Sequence, residues 1–282
     1  MILISGATGK IGRELFRLLA TSGEPVRVMA RDPSKIDTVS GTVEVVQGDL
    51  NQEATLAPAL QKVDKVFVLS PGPDIPAQDS AMIRAAQQAG IRHLVMLSSL
   101  GVEHDAGSGP AHRAEERQLR DSGLTWTVLR PNGFMSNLFQ WRATIQSDGA
   151  IYLPTGDGRH AYIHPFDIAA VAAKVLTSAG HEGKIHELTG GEALSTADLA
   201  AKLGAELGKP LRHVDVPDAA YKDQLQRAGL PPFLIESITR FYTLIREGQL
   251  AYITPAVEQL VGRAPRRFDD WARENVGAFR SK

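Results

Sequence analysis

Gly6, Gly9 and Gly12 fall at steps of three, directly after the apolar run Ile2-Leu3-Ile4 and directly before a stretch with helical spacing. A strand that stops at a glycine turn and feeds a helix makes an anion site. The turn bares backbone N–H groups, and the helix N-terminus adds partial positive charge. Glycine also lets a phosphate approach the backbone and lets the helix pack close to the strand. The chemistry implied is the binding of a pyrophosphate, with Thr8, Lys10 and Ile11 of the same turn as further contacts. The spacing differs from the common G-x-G-x-x-G fingerprint, so the glycines must be read with the elements around them.

Arg31 and Lys35 follow the second apolar run. A guanidinium there can grip a ribose 2′-phosphate, which favours NADP over NAD. Asp32 is the opposing signal, because an acid about 20 residues past the glycines commonly holds a free 2′-hydroxyl. Its position before Pro33 also suits a helix N-cap. Ser70 and Pro71 end the fourth apolar run, where a nicotinamide ribose is expected. His112 and Glu116 lie four apart in a helical stretch and so share a face. Three roles stay open for His112: a proton donor oriented by Glu116, a contact to the nicotinamide ribose, or half of a surface pair. His160, Tyr162 and His164 alternate, and in a strand they would project from one face. No third ligand accompanies His112 and Glu116 at metal spacing, and no metal is expected. Arg263, Arg266 and Arg267 read as a solvated cluster facing Asp269 and Asp270.

The elements that must position these groups follow from periodicity. Short apolar runs at 2–4, 25–30, 43–46, 63–69, 92–97 and 125–129 read as strands, and the segments 10–21, 51–62, 75–89 and 110–121 read as helices. Such alternation predicts a parallel sheet covered on both faces, with ligands at the C-terminal ends of the strands. Past Pro131 the rhythm changes. A helix is expected over 134–145, a short strand at 162–163, a helix over 167–178, a strand at 185–188, a helix capped by Ser195 and a strand at 211–216; the remainder is mostly helical. The expected fold is α/β: a Rossmann-type doubly wound parallel sheet over residues 1–132, with returns around 160–178, and a smaller, mostly helical C-terminal substrate lobe over 133–282.

The stretch from Gly6 to Gly12 resembles the glycine motif of the extended and atypical short-chain dehydrogenases/reductases. His112-Arg113-Ala114-Glu115-Glu116, Leu129-Arg130-Pro131-Asn132-Gly133-Phe134-Met135, Asp167-Ile168-Ala169 and Gly262-Arg263-Ala264-Pro265 are similar to motifs of the NmrA-like family within that group. That family includes NADPH-dependent quinone and triphenylmethane-dye reductases, and also dinucleotide-binding regulators with little catalysis. By position and by this resemblance, Asp49 meets the adenine amino group and Leu50 packs beside the ring, with helix capping as the competing role for Asp49. Ser98 and Ser99 would stand near the transferred hydride. The resemblance also puts Pro131, Asn132 and Phe134 beside the nicotinamide. Leu100, Phe134, Asn137, Leu138 and Trp141 would then face an acceptor, unless the apolar ones simply fill the core. Ordinary members of the wider group carry Tyr-x-x-x-Lys, and here none of Tyr152, Tyr162, Tyr221, Tyr242 and Tyr252 has lysine four residues on. A simple carbonyl needs a proton donor for the developing alkoxide. A quinone or cationic dye needs it less, because the charge is delocalised or neutralised. The expectation is an NADPH-dependent reductase of apolar conjugated acceptors, with His112 and Ser98 as catalytic candidates. The alternative is an NADP(H)-sensing regulator.

The 282 residues carry a formal net charge of −1 and no cysteine. That balance gives no whole-chain drive toward nucleic acid or anionic membrane, and the missing thiols exclude disulfides and thiolate chemistry. No apolar run nears the ~20 residues of a membrane span, and the N-terminus lacks a signal-peptide pattern. A cytoplasmic monomer or homodimer acting on a small molecule, without nucleic-acid or membrane partners, is expected.

Overall fold

The computed structural model describes residues 1–36, 43–72 and 74–280. In chain order the first elements are β1 (Ile2–Ile4), α1 (Lys10–Thr21), β2 (Val26–Ala30), β3 (Val43–Gln47), the short α2 (Leu56–Ala59), β4 (Lys65–Val68) and α3 (Ile75–Ala89). There follow β5 (His93–Leu97), α4 (Pro110–Asp121), β6 (Trp126–Pro131), α5 (Arg142–Ser147), β7 (Ala150–Leu153), β8 (Arg159–His160), α6 (Pro165–Thr177) and β9 (Lys184–Leu188). The chain ends with β10 (Leu194–Ser195), α7 (Thr196–Leu207), β11 (Arg212–Asp215), α8 (Asp218–Arg227), α9 (Pro232–Arg246), α10 (Ala256–Val261) and α11 (Phe268–Asn275). It divides into two compact units. The first is Met1–Ser99, Ala111–Pro131 and Pro165–Glu187; the second is Leu100–Pro110, Asn132–His164 and Leu188–Lys282.

The first unit is built on a sheet of order β3-β2-β1-β4-β5-β6-β9. Every pairing from β3 to β6 is parallel. This is the doubly wound order, with its switch point between β1 and β4. Successive strand side chains alternate faces. Leu3, Val66, Val68, Leu94 and Met96 pack with α2 and α3 residues such as Leu56 and Met82. Ile4, Phe67 and Val95 are equally buried on the alternate positions, so both faces are covered, as continuous apolar strands require. Arg27 is buried in β2. It pairs with Glu44 of β3 at 2.6 Å and donates to the carbonyls of Ala59 (2.8 Å) and Gln61 (2.6 Å).

The second unit has its own core, in which Met135, Leu138, Trp141, Tyr162, Tyr242, Phe268 and Trp271 are buried together. Phe139 stacks on Phe279 with ring centroids 5.4 Å apart. Two small sheets belong to it: β7 with β11, parallel, and β8 with β10, antiparallel.

Three expectations are corrected. Residues 51–62 are not one helix: a 3₁₀ turn over Glu53–Thr55 leads into the single turn of α2. Pro58 removes a donor inside that turn, and Thr55 Oγ1 is held by Asp49, accepting from its N–H at 3.0 Å. Residues 134–145 are a 3₁₀ run over Met135–Trp141 followed by α5. Tyr162-Ile163 is no strand. Ile163 makes only an isolated bridge to Phe134, and the pairing strand ends at His160.

Ser195 forms a capping box with Asp198 at the start of α7. Its Oγ accepts from the Asp198 N–H at 3.0 Å, and Asp198 Oδ2 accepts from the Ser195 N–H at 3.0 Å. Ser195→Ala is expected to destabilise the protein by about 1 kcal/mol, read as a shift in the midpoint of urea denaturation with an unchanged slope.

Candidate functional site

The glycine turn is built by close backbone approach. A Cβ on Gly12 would stand 2.3 Å from the Gly6 carbonyl oxygen, and Gly6 itself has φ +69°. The Gly9 N–H closes the turn onto the Gly6 carbonyl at 2.9 Å. The α1 N-terminus carries no side-chain cap and no acid in its first turn. Its amides and partial charge are therefore left for an anion. A cavity of about 300 Å³ opens beside it, lined by Gly6, Thr8, Arg31, Asp49, Leu50 and Pro71 among the expected residues. Asn51, Asp74 and Gln78 also line it and were not singled out from the sequence. The length of α3 hides them: Asp74 and Gln78 frame its first turn, and polar residues at a helix start read as capping. Gln78 donates to Asn51 Oδ1 at 3.1 Å, and its own Oε1 is buried without a partner.

Thr8, Arg31, Asp32 and Lys35 line an adjoining recess of about 390 Å³. Asp32 is the N-cap of the 3₁₀ turn Pro33–Lys35, accepting from the Ser34 N–H at 3.1 Å. The Ser34 hydrogen bonds hold its carboxyl below the usual range. Lys35 stands 3.6 Å from it. Arg31 forms no ion pair among the described residues. A capped acid and an unpaired guanidinium suit a phosphate better than a free hydroxyl. Asp49 also caps locally, accepting from the Asn51 N–H at 3.0 Å while lining the cavity.

At the C-terminal ends of β4, β5 and β6 the first unit buries a polar network. Arg130 grips Glu116 with two hydrogen bonds, Nε to Oε1 at 2.9 Å and Nη2 to Oε2 at 2.6 Å. Ser98 Oγ donates to the same carboxylate. His112 is not oriented by Glu116 and forms no surface pair with it. Both are buried, and the His112 partner is Asp79 of α3, with Nδ1 3.3 Å from Oδ2. Ser70 Oγ donates to the other oxygen of Asp79 at 2.6 Å. Burial, with the Asp79 carboxylate nearby, pushes the Glu115 carboxyl up.

In the second unit, Leu100, Leu138 and Trp141 are buried, the last two in its core. Burial of Leu138 and Trp141 in this core fits the core-filling alternative. Phe134 is half-buried and Asn137 exposed. Asn132 Oδ1 accepts from the Gly133 N–H at 3.0 Å and lies against His160 Nε2. An oxygen already facing a donor fixes the His160 tautomer with the proton on Nε2. A Cβ on Gly133 would meet His160 Cε1 at 2.5 Å. His160 also packs edge-on to Tyr162 at 4.2 Å. His164 instead faces Glu274 at 3.2 Å, so His160, Tyr162 and His164 present no common ligand face. Among the described residues no three metal-type side chains are grouped to hold an ion. Arg267 pairs with Asp269 at 3.7 Å, and its N–H donates to Asp270 Oδ2 at 3.2 Å, as expected of the cluster; Arg267 also pairs with Glu192 and Arg266 with Glu274, while Asp269 takes Lys202 as well. Burial pushes the phenols of Tyr162, Tyr221 and Tyr242 up, the opposite of what a Tyr/Lys pair does. No helix among the described residues is long and apolar enough to cross a membrane.

The fold and the glycine cradle define a dinucleotide-binding protein, and the comparisons agree. Residues 6–179 match the NAD(P)H-binding family model. The chain is 42% identical over 99% of both lengths to a (4-alkanoyl-5-oxo-2,5-dihydrofuran-3-yl)methyl phosphate reductase of Streptomyces griseus. It is 36% identical over 99% of both to an NAD(P)H azoreductase of Xenophilus azovorans. An NADPH-dependent quinone oxidoreductase of Escherichia coli, solved with NADPH, superposes with TM-score 0.86 at 28% identity, covering 97% of this chain and 99% of that one. The chain belongs to the NAD(P)H-binding family and is related to quinone-type oxidoreductases; it is an NAD(P)H-dependent reductase.

Two measurements follow from the buried charges. Glu116→Ala removes the carboxylate that Arg130 and Ser98 share and is expected to cost about 3–5 kcal/mol in chemical denaturation. Burial pushes the His160 imidazole down to about 3. Below the unfolded value near 6.5 the unfolded chain then binds the extra proton, so stability falls with pH between roughly 6.5 and 3 and is flat above. Between pH 7 and 5 the single-site loss is about 2 kcal/mol, and His160→Gln should remove that part of the slope.

Proposed function

We propose that this reductase passes a hydride from NADPH to an apolar, conjugated, electron-poor acceptor of the quinone or dye type, without a Tyr-x-x-x-Lys dyad. The observation that carries the reading is the absence of that dyad from a chain similar to a quinone oxidoreductase, an azoreductase and a dihydrofuranone phosphate reductase. Quinones, azo compounds and unsaturated lactones all take hydride at one end of a π system and spread the electron pair onto a heteroatom. Such acceptors ask the protein chiefly for alignment and exclusion of water.

The α1 N-terminus with Gly6, Thr8, Gly9, Lys10, Ile11 and Gly12 would hold the pyrophosphate. Arg31 and Lys35 would take the 2′-phosphate, and Asp49 with Leu50 the adenine. Ser70, Pro71, Ser98, Ser99, Pro131, Asn132 and Phe134 are assigned to the nicotinamide half. Bound NADPH supplies a hydride and its electron pair. His112 would supply a proton where the acceptor needs one, and Ser98 would act through its hydroxyl, which Glu116 orients. Phe134 and Asn137 are the partly exposed residues left for an acceptor.

Turnover of NADPH with a panel of quinones, azo dyes, cationic dyes and unsaturated lactones tests this reading, with a saturated ketone as the poor substrate. Tight NADPH binding with no turnover on any of them would overturn it in favour of a cofactor-sensing regulator. The cofactor assignment has its own check. Arg31→Ala should weaken NADPH about 10- to 100-fold while leaving NADH nearly unaffected, measured by fluorescence titration; equal losses for both would refute it.

A further inference from the structure

Ser70, Asp79 and His112 come from three separate elements of the first unit and form one hydrogen-bonded line. Ser70 stands just past β4, Asp79 in the second turn of α3 and His112 in the first turn of α4. Ser70 Oγ donates to Asp79 Oδ1 at 2.6 Å, and Asp79 Oδ2 faces His112 Nδ1 at 3.3 Å. Asp79 is 1% exposed and His112 5%. A carboxylate this deeply buried has to be held by donors. The Ser70 hydroxyl and the imidazole are those donors.

This arrangement fixes the histidine. With Nδ1–H directed at the carboxylate, the neutral ring carries its lone pair on Nε2, and the cationic ring carries a transferable proton there. Nε2 itself takes no hydrogen bond among the described residues, and it is absent from the sealed, unpartnered polar atoms. Two further carboxylates of α4 lie near the line, and Glu115 Oε2 is buried without a hydrogen-bond partner. Glu116 is occupied by Ser98 and Arg130, and Glu115 shares the helix face with His112 and feels the Asp79 carboxylate. The line borders the cavity beside the glycine turn. Ser70 and Asp79 are the chain neighbours of Pro71 and Gln78, which both line the cavity.

We propose that Asp79 is a positioning residue which, with Ser70 behind it, aims His112 Nε2 as the proton source for those acceptors whose reduction requires one. The inference rests on the reductase reading above. A quinone gains a hydride and its electron pair, which leaves negative charge on the oxygen. That oxygen takes the Nε2 proton, an O–H bond forms, and His112 returns to the neutral ring until solvent reprotonates it. A cationic triarylmethane dye gains the same hydride at its central carbon and becomes neutral. No proton enters that balance. The relay therefore separates two acceptor classes within one site.

The test is the ratio of quinone to cationic-dye turnover at saturating NADPH, with cofactor affinity measured alongside. Asp79→Asn is expected to lower that ratio about 100-fold, the usual worth of a positioned general acid. Ser70→Ala should lower it in the same direction by less, and Asp79→Glu should restore part of it. Should Asp79→Asn fail to fold, His112→Gln and Ser70→Ala carry the same ratio test. A ratio that stays constant, or turnover of both acceptors falling together, overturns the relay while leaving the reductase reading intact. Wild-type protein that reduces neither acceptor overturns both.

Discussion

The contact on which the first unit depends is the one between Gly12 and the Gly6 carbonyl. With no Cβ at either position, the first turn of α1 sits directly on the turn that ends β1. Any side chain at Gly12 would collide with backbone, which cannot swing aside as a flexible side chain can. The close approach points the α1 N-terminus, uncapped and free of acids, at the space above the strand ends. The rest follows from sheet order. β1 and β4 pair in parallel and the connections that follow them part at the switch point, so the crevice beside the turn is walled by the segments after β1, β2, β3 and β4. One backbone contact thus sets both the anion site and the floor of the cavity.

A second constraint is charge taken out of water. The first unit buries Arg27, Asp79, Glu115, Glu116, His112 and Arg130. Most are saturated by hydrogen bonds, as buried charge requires. Arg27 is spent on structure, tying β2 to β3 and to the loop after α2. Glu116 and Arg130 form a rigid bidentate pair that holds the Ser98 hydroxyl. Such a pair contributes less to net stability than to fixing where the serine points.

The strands of the sheet, α1, α3 and α4 were legible in the sequence because each is long or strongly periodic and ends at glycine, serine or proline. The glycine cradle was legible for the same reason: spacing along the chain maps directly onto geometry across a turn. Where the sequence misled, the missing information was tertiary. The spacing of His112 and Glu116 says that they share a helix face, but the partner of His112 is Asp79, 33 residues away. No local pattern marks that pairing. Leu138 and Trp141 have the spacing of a wall and of a core alike, and only burial separates the two. The alternation of His160, Tyr162 and His164 imitates a strand, yet Gly133 lies so close to His160 that this histidine turns toward Asn132. Gln78 was passed over because a glutamine in a long helix carries no signal until its neighbours across the crevice are known.

The chemistry divides along the same line as the energetics. Hydride transfer to a conjugated acceptor puts its strictest demand on distance and alignment, and a stiff glycine cradle with a fixed strand edge supplies those. Proton supply demands a group whose tautomer is set before substrate arrives. In ordinary members of the wider group a tyrosine activated by lysine does this; here three of the five tyrosines are buried with their phenols pushed up, away from that role. An imidazole held through Nδ1 by a buried carboxylate would meet the same demand with different atoms. It would ask for no lysine beside the nicotinamide, and so would leave that space to a flat apolar acceptor whose own π system takes up the developing charge.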